Sequence, residues 1–153
     1  MTLNELINDT RRKTGDKTGS IFTTSDITYC INEAIDRVRF SEYFADMVSL
    51  TTVEQSPILL PDQYHHLLST YATARCFEQD ERHYQSVQRM NEFEFKLDAL
   101  IAKVEEGTIV ISDEDGNTVE STYETDFVEN VYYNSRDDYD GEETDDDNGL
   151  EGI

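Results

Sequence analysis

The amino-acid sequence predicts a mainly α protein: a small bundle of about four helices, with a short β-hairpin between helices 2 and 3, a second hairpin toward the C-terminus and an acidic, flexible tail. Apolar residues recur at steps of three and four in separate stretches. Threonine-led capping sequences head two of these stretches, and acidic residues crowd one end of the chain where apolar ones thin out. A chain of 153 residues can bury one core but not two large ones. The expected division is a helical domain over 1–106, a β-prone extension over 107–133 and a tail over 134–153.

Thr2-Leu3-Asn4-Glu5 fits a capping box, so a first helix should run to about Thr14 with Leu3, Leu6, Ile7 and Thr10 facing inward. Gly15 to Ser20 has the composition of an exposed loop. After the cap candidates Thr23 to Asp26, the residues Ile27, Cys30, Ile31, Ala34, Ile35 and Val38 form the clearest amphipathic stripe, with Phe40, Tyr43 and Phe44 expected to pack at its end. Met47 to Val53 is rich in Val, Thr and Leu and precedes a turn at Gln55-Ser56-Pro57, which predicts the first hairpin. Pro61 suits a helix start, and Tyr64, Leu67, Leu68, Tyr71, Ala72 and Cys76 would line one face of the third helix. Tyr84, Val87, Met90, Phe93, Leu97, Leu100, Ile101 and Val104 would line the fourth, which Gly107 ends. Thr108 to Ser112 and Thr118 to Tyr123 flank an Asp-Gly turn and predict the second hairpin, outside the helical unit.

Charge is distributed unevenly. The chain carries 34 acidic and 12 basic residues, a formal charge of −22. Residues 1–104 hold 16 acids and 11 bases, whereas 105–153 hold 18 acids and one base. Such a balance disfavours direct grip on DNA or an anionic membrane surface. From Asn134 onward the chain cannot bury enough apolar area to offset the entropy of ordering. Two cysteines at apolar helical positions, Cys30 and Cys76, read as buried thiols and not as a secreted scaffold. The N-terminus has no basic-then-apolar leader, and a soluble protein made in the cytoplasm is expected.

No pattern of residues declares catalysis, so the expectation is a protein without enzymatic activity or cofactor. His65 and His66 are adjacent and would point about 100° apart on a helix, without the partner spacing of a zinc site, and read as polar helix surface or interface residues. Asp113, Asp115 and Asn117 alternate like calcium ligands, but the glycine and the closing glutamate of that loop are out of place, so a turn is the reading. No glycine-rich phosphate loop is present. Tyr64, Tyr71, Tyr84, Phe93 and Phe95 lack interleaved bases and are expected to pack in the core instead of stacking on nucleobases.

The order of elements resembles bacteriophage head-to-tail adaptor proteins, also called connector or head-completion proteins, over about Met1 to Val104. The resemblance rests on Ile31-Asn32-Glu33-Ala34-Ile35 and on the run from Leu60-Pro61-Asp62-Gln63-Tyr64 through Asp80. It implies a structural subunit of the virion neck, assembled in the host cytoplasm into a ring below the portal protein. That ring would be dodecameric to match the portal, would extend the channel through which double-stranded DNA passes without specific binding, and would receive a downstream tail or stopper protein. No catalysis, cofactor, metal or membrane contact is implied. The projecting segments are Gly107 to Tyr133 and the β-prone span Met47 to Leu60, and partner-binding residues are expected in the first: Thr108, Ile109, Val110, Ile111, Val119, Tyr123, Phe127, Tyr132 and Tyr133, with Thr108 to Ile111 either pairing with another subunit as an added strand or forming an ordinary intramolecular hairpin strand. The alternative from a different class is an acidic DNA-mimic inhibitor of a nucleic-acid-binding protein.

Overall fold

The computed structural model describes residues 1–119, which contain four α-helices: α1 (Leu3–Thr14), α2 (Thr24–Val38), α3 (His66–Gln79) and α4 (His83–Glu105). Both predicted capping sequences close as reciprocal boxes. The Thr2 hydroxyl accepts from the Glu5 amide while the Glu5 carboxylate accepts from the Thr2 amide at 2.7 Å, and Thr23 and Asp26 repeat the arrangement at α2. Amides that a bare helix start would leave unpaired are thereby satisfied. Gly15, at φ 82°, ends α1 in the left-handed region that a residue without a Cβ adopts at little cost. The inward residues expected for α1 are all buried, as are all six stripe residues of α2.

The bundle is organised around α3, which packs against α1, α2 and α4. A helix enclosed on three sides has no room for a narrow apolar stripe. Accordingly α3 buries Ser69, Thr70, Thr73 and Ala74 together with Leu67, Leu68, Ala72, Cys76 and Phe77. Its buried hydroxyls are satisfied close by: Thr70 donates to the His66 carbonyl, Thr73 donates to the Ser69 carbonyl at 2.7 Å, and Ser69 donates to Asp9 of α1. Pro61 does not start this helix directly. It precedes a single 3-10 turn, Asp62–Tyr64, that leads into it. Cys30 of α2 and Cys76 of α3 are both buried free thiols. A mutual hydrogen bond and burial push the Cys76 thiol up, out of the reactive range.

On α4 the packed face is narrower than its sequence suggests. Phe93, Leu97 and Leu100 are buried, and the Phe93 ring meets Tyr71 of α3 edge-on with centroids 5.0 Å apart. Tyr84 and Val87, expected on that face, are exposed, and so is Phe95, expected in the core. The reason is that α4 rests chiefly on α3, so only about one side of it meets protein. Phe40 is likewise exposed beyond the end of α2, whereas Phe44 is fully buried. Two ion pairs brace the helices: Arg75 of α3 with Glu33 of α2 at 3.1 Å, and Arg37 of α2 with Glu94 of α4 at 3.0 Å.

Among the described residues no strand forms, and the hairpin expected over Met47 to Leu60 is instead an irregular strap. Its backbone groups find partners elsewhere, which removes the need for a ladder. The Leu3 and Asn4 amides at the start of α1 donate to the carbonyls of Gln55 and Val53 at 2.8 and 3.1 Å. The Asn32 side chain takes both the amide and the carbonyl of Leu50, at 2.8 and 3.0 Å, as an opposing strand would. The Arg39 guanidinium donates to the Met47 carbonyl. Met47, Leu50 and Leu60 are thereby held in the core.

After Gly107, the amides of Thr108 and Ile109 both donate to the Lys103 carbonyl, closing α4. The second predicted hairpin is represented by one antiparallel bridge, Ser112 with Thr118, and by the Val119 amide donating to the Ile111 carbonyl at 2.8 Å. Ile111 is buried in the same core as the helices, so this segment packs on the helical unit. The rest of that predicted hairpin and the acidic tail lie outside the described residues. No helix among the described residues is long and apolar enough to cross a membrane.

Candidate partner-binding surface

Four of the predicted partner-binding residues converge. Ile109, Val110, Ile111 and Val119 line an apolar groove of about 240 Å³ together with Tyr43 and Val104, at the C-terminal end of α4. The side chains divide by depth: Ile111 is buried, Ile109 and Val119 are half-buried, and Val110 is 60% exposed. Thr108 is exposed on the turn leading into the groove. Tyr123, Phe127, Tyr132 and Tyr133 lie outside the described residues.

The backbone here is turned inward. The amides of Thr108, Ile109 and Val119 are all consumed by intramolecular carbonyls, so what this segment offers a partner is a groove of side chains more than a strand edge. The Asp113–Asn117 turn that frames it is self-contained. The Asp113 carboxylate accepts from the Asp115 and Asn117 amides at 3.0 and 2.7 Å and from the Asn117 side chain at 3.1 Å, which holds it below the usual carboxylate range. An aspartate so placed closes a turn through its own side chain.

Three polar groups that the sequence did not single out are tied into the frame. Asp16, expected in an exposed loop, is buried and accepts from the amides of Ser20, Ile21 and Phe22 at 2.9, 3.1 and 2.9 Å. The Phe22 amide first, then those of Ile21 and Ser20, lowers its pKa against the effect of burial. The signal was an aspartate just ahead of a buried aromatic, in a loop otherwise without anchors. Asp9 and Lys13 of α1 reach α3 in one network, in which Ser69 donates to Asp9 at 2.5 Å and Lys13 donates to Ser69 at 2.9 Å while pairing with Asp9 at 2.7 Å. Burial opposes ionisation of Asp9, but the bonds from Lys13, Ser69 and Arg12 hold its pKa at about 2.

His65 corrects the surface reading given to the histidine pair. It is 2% exposed, and both ring nitrogens are engaged: Nδ1 stands 2.6 Å from the Met1 amino group and Nε2 2.7 Å from the Leu60 carbonyl. Those partners assign the proton to Nε2, donating to Leu60, with Nδ1 accepting from Met1. Burial lowers its pKa, and the adjacent ammonium reinforces the neutral form. His66 is half-buried on α3. Among the described residues no group of three or more His, Cys, Asp or Glu side chains is placed to hold a metal ion.

No protein-family model, curated protein or solved structure matches this chain.

Proposed function

We propose that this protein is a structural subunit of a phage neck, a head-to-tail adaptor that forms a ring below the portal and extends the DNA channel. The single observation that carries the contact role is the convergence of Ile109, Val110, Ile111 and Val119 on one apolar groove beside the end of α4. Grooves of side chains next to a helix terminus accept a partner's apolar anchors, and such anchors dominate interface energetics. The resemblance in Ile31 to Ile35 and in Leu60 to Asp80 supplies the identity of the partner. Within that second helix, Asn32 clamps the strap and Glu33 braces α3, so the polar members of the matching run maintain the frame that presents the groove.

The charge of −22 suits the role. A ring with a negative inner wall repels phosphates, so DNA slides past without adhering. The same charge sets neighbouring copies against one another, and assembly then depends on apolar contacts and on the template that the portal provides.

The test is mass measurement by light scattering, with and without the portal protein. The protein alone should run as a monomer or weak oligomer, and with the portal it should join a ring-sized complex. Failure to co-migrate with any portal or capsid component overturns the reading. Deleting Asn134 to Ile153 separates it from the DNA-mimic alternative, since an adaptor keeps its fold and its ring whereas a mimic loses its inhibitory surface.

A further inference from the structure

A second cavity, of about 220 Å³, lies where the strap meets the Asp113–Asn117 turn. Its walls are apolar: Met47 and Pro57 are buried, Leu59 is half-buried, and Val48 and Ile58 are 53% and 52% exposed at the mouth. It is larger than the ~150 Å³ voids that admit a benzene ring. Around that mouth stand Asp46, Glu114 and Asp115, all exposed.

Nothing in the lining offsets those carboxylates. The chain has no lysine or arginine between Arg39 and Arg75, nor between Lys103 and Arg136, and every lining residue comes from one of these two stretches. Arg39 approaches the Met47 carbonyl, but its guanidinium is paired with Asp36 at 2.6 Å. Asp113 is spent on its own turn, which leaves Asp46, Glu114 and Asp115 as the charges a ligand would meet.

We infer that this cavity is a docking pocket for a partner polypeptide that inserts an arginine or lysine flanked by apolar residues. Charge complementarity decides the occupant. The methylene stem of a long cationic side chain lies along apolar walls such as Met47, Ile58 and Leu59, while its head group remains at the mouth among carboxylates. A purely apolar side chain would leave the acidic rim unanswered, and an anionic one would be repelled. Arginine fits better than lysine because its planar fork engages two carboxylates at once. This goes beyond the neck reading and does not depend on it, because it specifies the chemistry of a contact and not the identity of the partner.

The probe is the peptide acetyl-Gly-Leu-Arg-Leu-Gly-amide, titrated into the isotope-labelled full chain and followed by amide chemical shifts, with a glutamine-for-arginine peptide as its neutral counterpart. The arginine peptide should move the amides of 46–48, 57–59 and 113–115, and the glutamine peptide should bind at least about tenfold more weakly. Combining Asp46→Asn, Glu114→Gln and Asp115→Asn should abolish that preference with the remaining spectrum unchanged, since all three side chains are exposed. Ile58→Ser should weaken both peptides. Equal binding of the two peptides, undiminished binding to the triple variant, or shifts confined to the acidic run Asp137 to Asp147 would each overturn the inference.

Discussion

Helices α3 and α4 lie side by side and answer to opposite constraints. Of its 14 residues α3 buries nine, including three hydroxyl side chains, while α4 buries four of 23. The periodicity of α4 looks the broader of the two in sequence, yet Tyr84, Val87 and Phe95 stand in solvent. What the pair teaches is that the apolar content of a helix reports how much it could bury, whereas the small and hydroxyl residues report how closely it is surrounded. Ser69, Thr70, Thr73 and Ala74 are the marks of a helix with neighbours on several sides.

The widest test of that contrast is a pair of phenylalanines two residues apart. Phe93→Ala empties a fully buried site against Tyr71 and should cost about 3–5 kcal/mol, whereas Phe95→Ala should stay within about 0.5 kcal/mol, both read from urea unfolding. Similar losses at the two positions would mean that α4 is covered on its outer side.

A smaller effect belongs to the polar flank of α3. Asp9→Ala should cost about 1–3 kcal/mol, because Ser69 and Lys13 lose a partner inside a shielded network. The same group makes stability depend on acid. Its pKa of about 2 in the folded state lies below the ordinary aspartate value of 3.8, so its contribution is complete above the unfolded value and disappears as pH falls through the folded one. Allowing for solvent screening, that contribution is about 1–2 kcal/mol, lost between roughly pH 4 and pH 2. Unfolding curves of Asp9→Ala should be correspondingly flatter over that interval than those of the parent.

The smallest effect lies in the link between the two helices. Glu81 holds φ 56°, a left-handed conformation that disfavours any residue with a Cβ. Glu81→Gly should raise stability by about 0.5–1 kcal/mol, measured as an increased urea midpoint with an unchanged slope. A decrease would show that the link is set by more than its backbone angle.

Helices were legible from sequence where a local device marks them. The Thr2–Glu5 box, the cap candidates from Thr23 to Asp26 and the stripe from Ile27 to Val38 needed no tertiary information, and the structure picks Thr23 as the second cap and closes it with Asp26. The strap was misread because Val, Thr and Leu between Met47 and Val53 favour extended backbone, and extended backbone pairs with whatever donors are nearest. Those donors are the α1 amides and the side chain of Asn32, which no pairing rule within the segment could reveal. In the candidate groove, Ile109 to Ile111 and Val119 stood out as apolar residues in an acidic setting. Their convergence with Tyr43 and Val104 depends on how the chain turns at Gly107. His65 was opaque for the same kind of reason, since its partners Met1 and Leu60 are set by the fold.

The one-sided seat of α4 has a mechanical consequence. With 23 residues at about 1.5 Å per residue, the helix is a rod some 35 Å long, joined to the bundle along a single seam. A pull applied at its Gly107 end and directed along the rod stresses that seam in shear, where Phe93, Leu97 and Leu100 resist together. The same pull directed sideways peels the contacts apart in turn, beginning with Val104 and Ile101 and reaching Leu100 next, so the protein is stiff toward one direction of traction and yielding toward the other.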